Sequence, residues 1–286
     1  MGLRVNTNVA SLNAQRHLYN TTTRFGKSME RLSSGLRINR SGDDAAGLAI
    51  SESLKSDIRA LGQASRNAAD GISLVQTAEG SLDEVNNILL RLRELAEQSS
   101  TETLGATERT YLDAEFQQLL DEIDRISSTA AFNGIHLLDG SAANLKVQVG
   151  IGTDAATSTV SIDLTSPMSS SALNLTYTTA TTGGLHIDGA DGTAARAAIG
   201  LITAATGSVS SMRADFGAAQ NRFETSIRNI SMTSENLSSA NSRIRDVDVA
   251  LETATMTSLQ ILQQAGVSIL GQANQTSQLA LRLLQG

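Results

Sequence analysis

Cysteine and tryptophan are absent from this chain, proline occurs once, at Pro167, and aromatic residues make up 3% of the sequence. Without cysteine there are no disulfides, thiolate metal sites or cysteine nucleophiles. Large aromatics carry much of a thick globular core. A core here must use Leu, Ile, Val, Ala and Met, which suits thin helical layers. No apolar run reaches about 18 residues, so no membrane span is expected. The first residues lack the apolar region of a secretory signal peptide, and "MGLRVN" fails the myristoylation pattern because Asn6 stands where Ser or Thr is required. Charge is missing locally too. Residues 1–40 carry Arg4, Arg16, Arg24, Lys27, Arg31, Arg37 and Arg40 against one acid, Glu30, although the whole chain has a net charge of −7. From Thr253 to Leu281 there is no charged residue at all.

What is present is a seven-residue beat. Leu54, Leu61, Ala68, Val75, Leu82, Leu89 and Ala96 are spaced seven apart, with Ile58, Ile72, Val85 and Leu92 at flanking positions. The beat returns in Ile202, Val209, Phe216, Phe223, Ile230, Leu237 and Ile244. Such a period lays an apolar seam along a helix, and two such helices pair. Each seam extends over about 63 Å at about 1.5 Å per residue, so the two match in length. A third helix is expected near residues 106–130, where Leu112, Phe116, Leu119, Ile123, Ile126 and Ala130 alternate spacings of four and three. Gly105 makes a break before it.

Beyond "FNG" and "LLDG" the period falls to two. Leu145, Val147, Val149 and Ile151, then Val160, Ile162 and Leu164, read as a β-hairpin around the loop "GTDAATS". Residues 165–192 are rich in Ser, Thr and Gly and read as an exposed excursion, with one more short hairpin around "LNLTYTT" and "GLHI". Helical pattern resumes near Thr193. At the ends, Val5, Val9, Leu12 and Tyr19 form one apolar set, and Leu18, Phe25, Met29, Leu32 and Leu36 another. Leu262, Ile269, Thr276 and Leu283 are seven apart, as are Leu259, Gly266, Ala273 and Ala280. A soluble helix normally keeps a charged outer face. A helix without charge needs burial on several sides, which points to other copies of the chain and to order gained on assembly.

The segment "SGLRINRSGDDAAGLAIS", residues 34–51, crowds Arg37, Arg40, Asp43 and Asp44 between glycines. It lacks the Gly-Lys-Ser/Thr ending of a phosphate loop and the convergent oxygens of a hard-metal site. Helix initiation is the plainer reading, with Ser41, Asp43 or Asp44 accepting from the first free N–H groups. His17, His136 and His186 lie in three zones, and "DGADG", residues 188–192, lacks the acids of a calcium loop. No catalytic set, cofactor or metal site is expected, and the chain reads as no enzyme. The N-terminal cations are spread among apolar residues, without a reading helix. No nucleic acid is expected, and these arginines are expected to meet acids on a neighbouring copy.

Long motifs at both ends resemble bacterial flagellin. They are "RVNTNVASLNAQRHL" (4–18), "RLSSGLRINRSGDDAAGLAIS" (31–51), "RNAADGISLVQTAEGSLDEV" (66–85) and "LRLRELAEQS" (90–99). Further along come "EIDRISSTAAFNGIHLLDG" (122–140), "GAAQNRFE" (217–224), "SENLSSANSRIRDVDVA" (234–250) and "LGQANQTSQLALRLL" (270–284). The resemblance implies a subunit exported unfolded by the flagellar type III export machinery and polymerised into the extracellular filament of swimming. The partners it implies are many copies of the chain, an export chaperone on the C-terminal helix, and filament cap and hook-associated proteins. An innate immune toll-like receptor is a further partner, with Arg91, Leu95 and Glu115 as its contacts.

Pattern and resemblance together give a mainly α fold. It consists of long antiparallel heptad-patterned helices, a terminal coiled coil plus a helical bundle, with a small β-hairpin-rich central excursion. The expected parts are an inner-tube helix over 1–40, half of a helical shell domain over 41–140 with a spoke at 34–51, and an exposed β-rich region over 141–192. A long shell helix over 193–245 and a second inner-tube helix over 246–286 complete it. The expected subunit interface is Val5, Val9, Leu12, Tyr19, Arg31, Arg37, Arg40, Asp43, Asp44, Leu259, Leu262, Ile269, Ala273 and Leu283. A hook–filament junction protein of the same two-ended plan is the alternative, and the match at the C-terminal end argues against it.

Overall fold

The computed structural model describes residues 7–142, 144–176, 185–189 and 192–285, with side chains through residue 275. The chain divides into two compact units, Met1–Ile58 with Glu235–Gly286, and Arg59–Ser234. The boundary falls within the two longest helices, α2 (Ala45–Ser99) and α5 (Thr193–Arg245).

The unit spanning residues 59–234 has one continuous apolar core. Its centre is the heptad seam read from the sequence. Leu61, Ala68, Val75, Leu82, Leu89 and Ala96 of α2 are buried, as are Ile202, Val209, Phe216, Phe223 and Ile230 of α5. The two helices run antiparallel: Phe223 lies over Gly71, and Arg213 reaches Glu79 and Asp83 at 3.8 and 3.1 Å. Seam members outside this unit, Leu54, Leu237 and Ile244, are only half-buried. Helix α3 (Ala106–Thr129) follows Gly105 and adds Phe116, Leu120 and Ile123 to the same core.

Contact between the seams is close enough to exclude a methyl group. A Cβ on Gly71 would stand 2.8–3.1 Å from the Phe223 ring. Phe223 is fully buried and cannot swing away. Gly71→Ala gains about 1 kcal/mol of helix propensity but overpacks the core at about 1–3 kcal/mol. The expected outcome is a melting temperature lowered by a few degrees in a circular-dichroism melt. A raised melting temperature would show that the ring has room.

After α3 the chain makes two small antiparallel pairs. β1 (Ala131–Phe132) and β2 (Ile135–His136) flank Asn133 and Gly134, both at positive φ, the twist a two-residue hairpin needs. β3 (Leu145–Gln148) pairs with β4 (Thr159–Ile162) in the register Leu145↔Ile162 and Val147↔Val160. Its connection is not plain loop. The Asp154 carboxylate accepts from Ala156 N–H at 3.0 Å and starts a single turn, α4 (Ala155–Ser158). The second hairpin expected around "LNLTYTT" and "GLHI" lies largely outside the described residues, but its flanks Leu173, Leu175, Leu185 and Ile187 enter the core.

The other unit contains α1 (Val9–Ser34), the start of α2, the end of α5 and α6 (Val249–Gln285). Asn8 caps α1 by accepting from Ser11 N–H at 3.0 Å, and Gly35, at φ 71°, ends it in the left-handed conformation. Asp248 caps α6 by accepting from Ala250 and Leu251 N–H. Among the described residues no helix is long and apolar enough to cross a membrane.

Candidate assembly surface

Helices α1 and α6 pack antiparallel. Ser28 Oγ bonds the Glu252 carboxylate near one end. At the other, Ser11 Oγ donates to Asn274 Oδ1 at 2.9 Å, and Asn8 Nδ2 donates to the Ala273 carbonyl at 2.9 Å. Between Ser11 and Ser28 the less exposed residues of α1 are Ser11, Ala14, Leu18, Thr21, Phe25 and Ser28. Between Met256 and Ala273 those of α6 are Met256, Leu259, Gln263, Gly266, Leu270 and Ala273. Both sets step by threes and fours, the pattern of a helix pair. A Cβ on Gly266 would stand 3.3 Å from Leu18 Cδ1, so the seam is closely packed there.

Each helix carries a second apolar stripe that this pairing leaves open. Val9 is 60% exposed, Tyr19 74%, Leu262 54% and Ile269 58%, with Leu12 similarly bare. Single exposed apolar residues are ordinary. Here they recur along two paired helices, one of which has no charged side chain from Thr253 to Leu281. Burying a Val, Leu or Ile side chain is worth about 1.5–3 kcal/mol. The open stripe therefore holds a large latent association energy.

Of the expected interface residues, Val9, Leu12, Tyr19, Leu262 and Ile269 are on this open stripe, while Leu259 and Ala273 belong to the inward seam. Val5 and the side chain of Leu283 lie outside the described residues. The charged members have partners within their own chain, although Arg37, Arg40 and Asp44 remain exposed. Arg31 Nη1 lies 3.7 Å from Glu252, Arg40 Nη2 lies 2.8 Å from Glu30, and Arg37 Nη2 donates to the Ile244 carbonyl at 2.8 Å. The sequence hid these partners because they come from distant elements or from backbone.

The 34–51 segment is a polar linker with a built interior. Arg37 N–H donates to the Arg245 carbonyl and Val247 N–H to the Gly35 carbonyl, around an isolated Leu36–Asp246 bridge. Asp44 is the helix cap: its Oδ1 accepts from Gly47 N–H at 2.9 Å. Asp43 folds the loop instead. Its carboxylate accepts from Asn39 and Arg40 N–H and pairs with Lys27 Nζ at 3.3 Å. The Arg40 N–H, followed by Lys27, holds its pKa below the ordinary 3.8. The buried Ile38 side chain and the Asp44 carboxylate occupy the space a Gly47 side chain would need.

Arg91 and Glu115 are brought together on the surface of the other unit, with nitrogen–oxygen distances of 2.8 and 3.0 Å, and Glu94 lies 3.0 Å from Arg91. The Glu115 hydrogen bond, then that of Glu94, holds the Arg91 guanidinium more firmly protonated than usual. Leu95 is not with them. It is 0% exposed and sits in the core, so it presents no side chain to a receptor. The sequence reading also missed Ser28 and Glu252, although Glu252 borders the charge-free stretch.

The bacterial flagellin N-terminal helical region matches residues 5–143, and the bacterial flagellin C-terminal helical region matches residues 199–284. A flagellin of Halalkalibacterium halodurans is 47% identical over 281 residues, covering 98% of this chain and 99% of that one. The chain belongs to the bacterial flagellin family. The flagellar filament 33 kDa core protein of Treponema phagedenis is 44% identical over 289 residues, covering 98% of this flagellin-family chain and 99% of its own. A flagellar hook-associated protein of Vibrio parahaemolyticus has a TM-score of 0.57 at 14% identity, covering 71% of this chain and all of that one. At that identity the likeness is one of fold alone. The two matched flagellin regions contain α1 and all of α6 but its last residue, so the open stripe is made wholly of family-matched sequence.

Proposed function

We propose that this chain polymerises with many copies of itself into the extracellular bacterial flagellar filament, as a structural subunit and not as an enzyme. The observation that carries this is the open apolar stripe on the paired, terminally placed α1 and α6. Full-length relatives named flagellin and flagellar filament core protein support it. In the filament, residues 1–40 and 246–286 line the inner tube, residues 41–140 and 193–245 make the shell, and residues 141–192 form the outermost part, with side chains such as Ile162, Leu175 and Ile187 turned into the core of their own unit. Before assembly the flagellar type III machinery exports the chain, a chaperone covers its C-terminal helix, and cap and hook-associated proteins bound the growing polymer.

Electron microscopy of the purified chain, seeded to polymerise, is expected to show long tubes. Deleting residues 260–286 is expected to abolish them while the unit at 59–234 still melts cooperatively. Short caps from the intact chain would instead favour a hook–filament junction protein. Normal tubes from the truncation would remove the role given to α6.

A toll-like receptor reading released monomer would meet Arg91 and Glu115, without Leu95. Arg91 already has two carboxylate partners, so a receptor acceptor must share or displace them. Truncating an arginine that is an interface hot spot costs about 2 kcal/mol or more. Arg91→Ala is expected to reduce reporter-cell stimulation by at least about tenfold at about 1.4 kcal/mol per tenfold. An unchanged response would remove Arg91 from that contact.

A further inference from the structure

We propose that Asp113, His186 and Asp188 form a zinc site that clips residues 185–189 onto α3. This goes beyond assembly and uses residues of the unit at 59–234.

Residues 185–189 are held in an extended line by side chains rather than by a neighbouring strand. Gln117 Nε2 donates to the Leu185 carbonyl at 2.6 Å, the Ile187 N–H donates to Asp113 Oδ1 at 2.8 Å, and Arg109 Nη1 donates to the Gly189 carbonyl at 2.8 Å. Ser99 Oγ donates to the Ile187 carbonyl. The match is geometric. Residues 109, 113 and 117 step by one helical turn, about 6 Å of rise, and residues 189, 187 and 185 step by a strand repeat of about 6.6 Å. Leu185 and Ile187 are buried in the core. Alternation then places His186 and Asp188 together on the opposite face, each between backbone groups that are already fixed.

A ligand atom from each of Asp113, His186 and Asp188 lies within 4.8 Å of the others, and His186 Nδ1 is 2.8 Å from Asp113 Oδ2. One imidazole nitrogen and two carboxylate oxygens with an open fourth position suit zinc, at bond lengths of about 2.0–2.2 Å. Calcium would need about six or more oxygens. Asp113 also has its own orienting partner: the Ile187 N–H fixes Oδ1, and Oδ2 faces His186 Nδ1, the second ligand atom. The Asp113 side chain is 10% exposed, and among the described residues neither it nor Asp188 has a Lys or Arg ion-pair partner. Asp113 is already paired through Ile187 N–H and His186 Nδ1, so zinc would take the place of the proton that His186 and Asp113 share, since binding to such ligands releases protons. To hold the ion, His186 Nδ1 and Asp113 Oδ2 would open slightly from 2.8 Å and the exposed Asp188 would rotate inward.

Calorimetric titration of the purified full-length monomer with zinc chloride is expected to show one saturable site. His186→Gln and Asp188→Asn should each weaken it by at least about tenfold, since even loss of an orienting partner costs about 10–100-fold. Replacing His17 and His136 together by Gln should leave it intact. Zinc should raise the melting temperature of the parent chain by mass action and not that of His186→Gln, with circular dichroism confirming that each variant is folded. Cobalt(II) should give a tetrahedral visible spectrum in the parent and none in His186→Gln. Absence of saturable binding, or binding indifferent to both His186→Gln and Asp188→Asn, overturns the proposal.

Discussion

Replacing Leu262 and Ile269 together by Asp is expected to abolish polymerisation and leave the monomer folded. Both side chains are more than half exposed in the monomer, and substitutions at such positions usually change stability by about 0.5 kcal/mol or less. In the polymer each loses about 1.5–3 kcal/mol of apolar burial and adds a carboxylate whose desolvation costs several kcal/mol more. A combined loss of only about 4 kcal/mol is about a thousandfold in association. The concentration at which polymer first sediments should therefore rise beyond reach, with the monomer's circular dichroism unchanged. A polymerisation threshold close to that of the parent would mean that the stripe stays open in the polymer.

Phe223→Ala is expected to be the most damaging single change in the unit at 59–234. The ring is fully buried between the two long seams and lies directly over Gly71. Truncating a buried Phe costs about 3–5 kcal/mol through lost burial and the cavity left behind. The melting temperature should fall on the order of 10 °C. A coupled test follows from the close approach. In Gly71→Ala the added methyl meets that ring, so Gly71→Ala combined with Phe223→Leu should be less destabilising than the sum of the two. Simple additivity would place the strain elsewhere.

The seams were legible because burial on one helix face leaves a period in the sequence. Their burial in the unit at 59–234 follows the seven-residue beat from Leu61 to Ala96 and from Ile202 to Ile230. The terminal helices were legible in the same way. Two series on α6, one through Leu259 and Ala273 and one through Leu262 and Ile269, are the inward seam and the open stripe.

Leu95 is the instructive failure. Family resemblance put it on the surface, yet Ile88, Leu92 and Leu95 continue a helical apolar face at steps of four and three, and Leu95 is buried as that face requires. Periodicity was the better guide there. The contacts of Arg109, Asp113 and Gln117 with residues 185–189 left no such trace. They join polar side chains to backbone about seventy residues away, and backbone carries no sequence signal. The partners of Arg31, Arg37 and Arg40 were hidden for the same reason.

Hydrogen–deuterium exchange of the monomer and of the polymer tests the central claim most directly, that α1 and α6 present a stripe that other copies bury. Helices sustained by one inward seam open readily, whereas a filled core opens only globally. Amides of residues 9–34 and 249–275 should exchange quickly in the monomer and become strongly protected in the polymer, while those of the core positions in 59–234 stay protected in both. Equal protection of α1 and α6 in monomer and polymer would contradict the account.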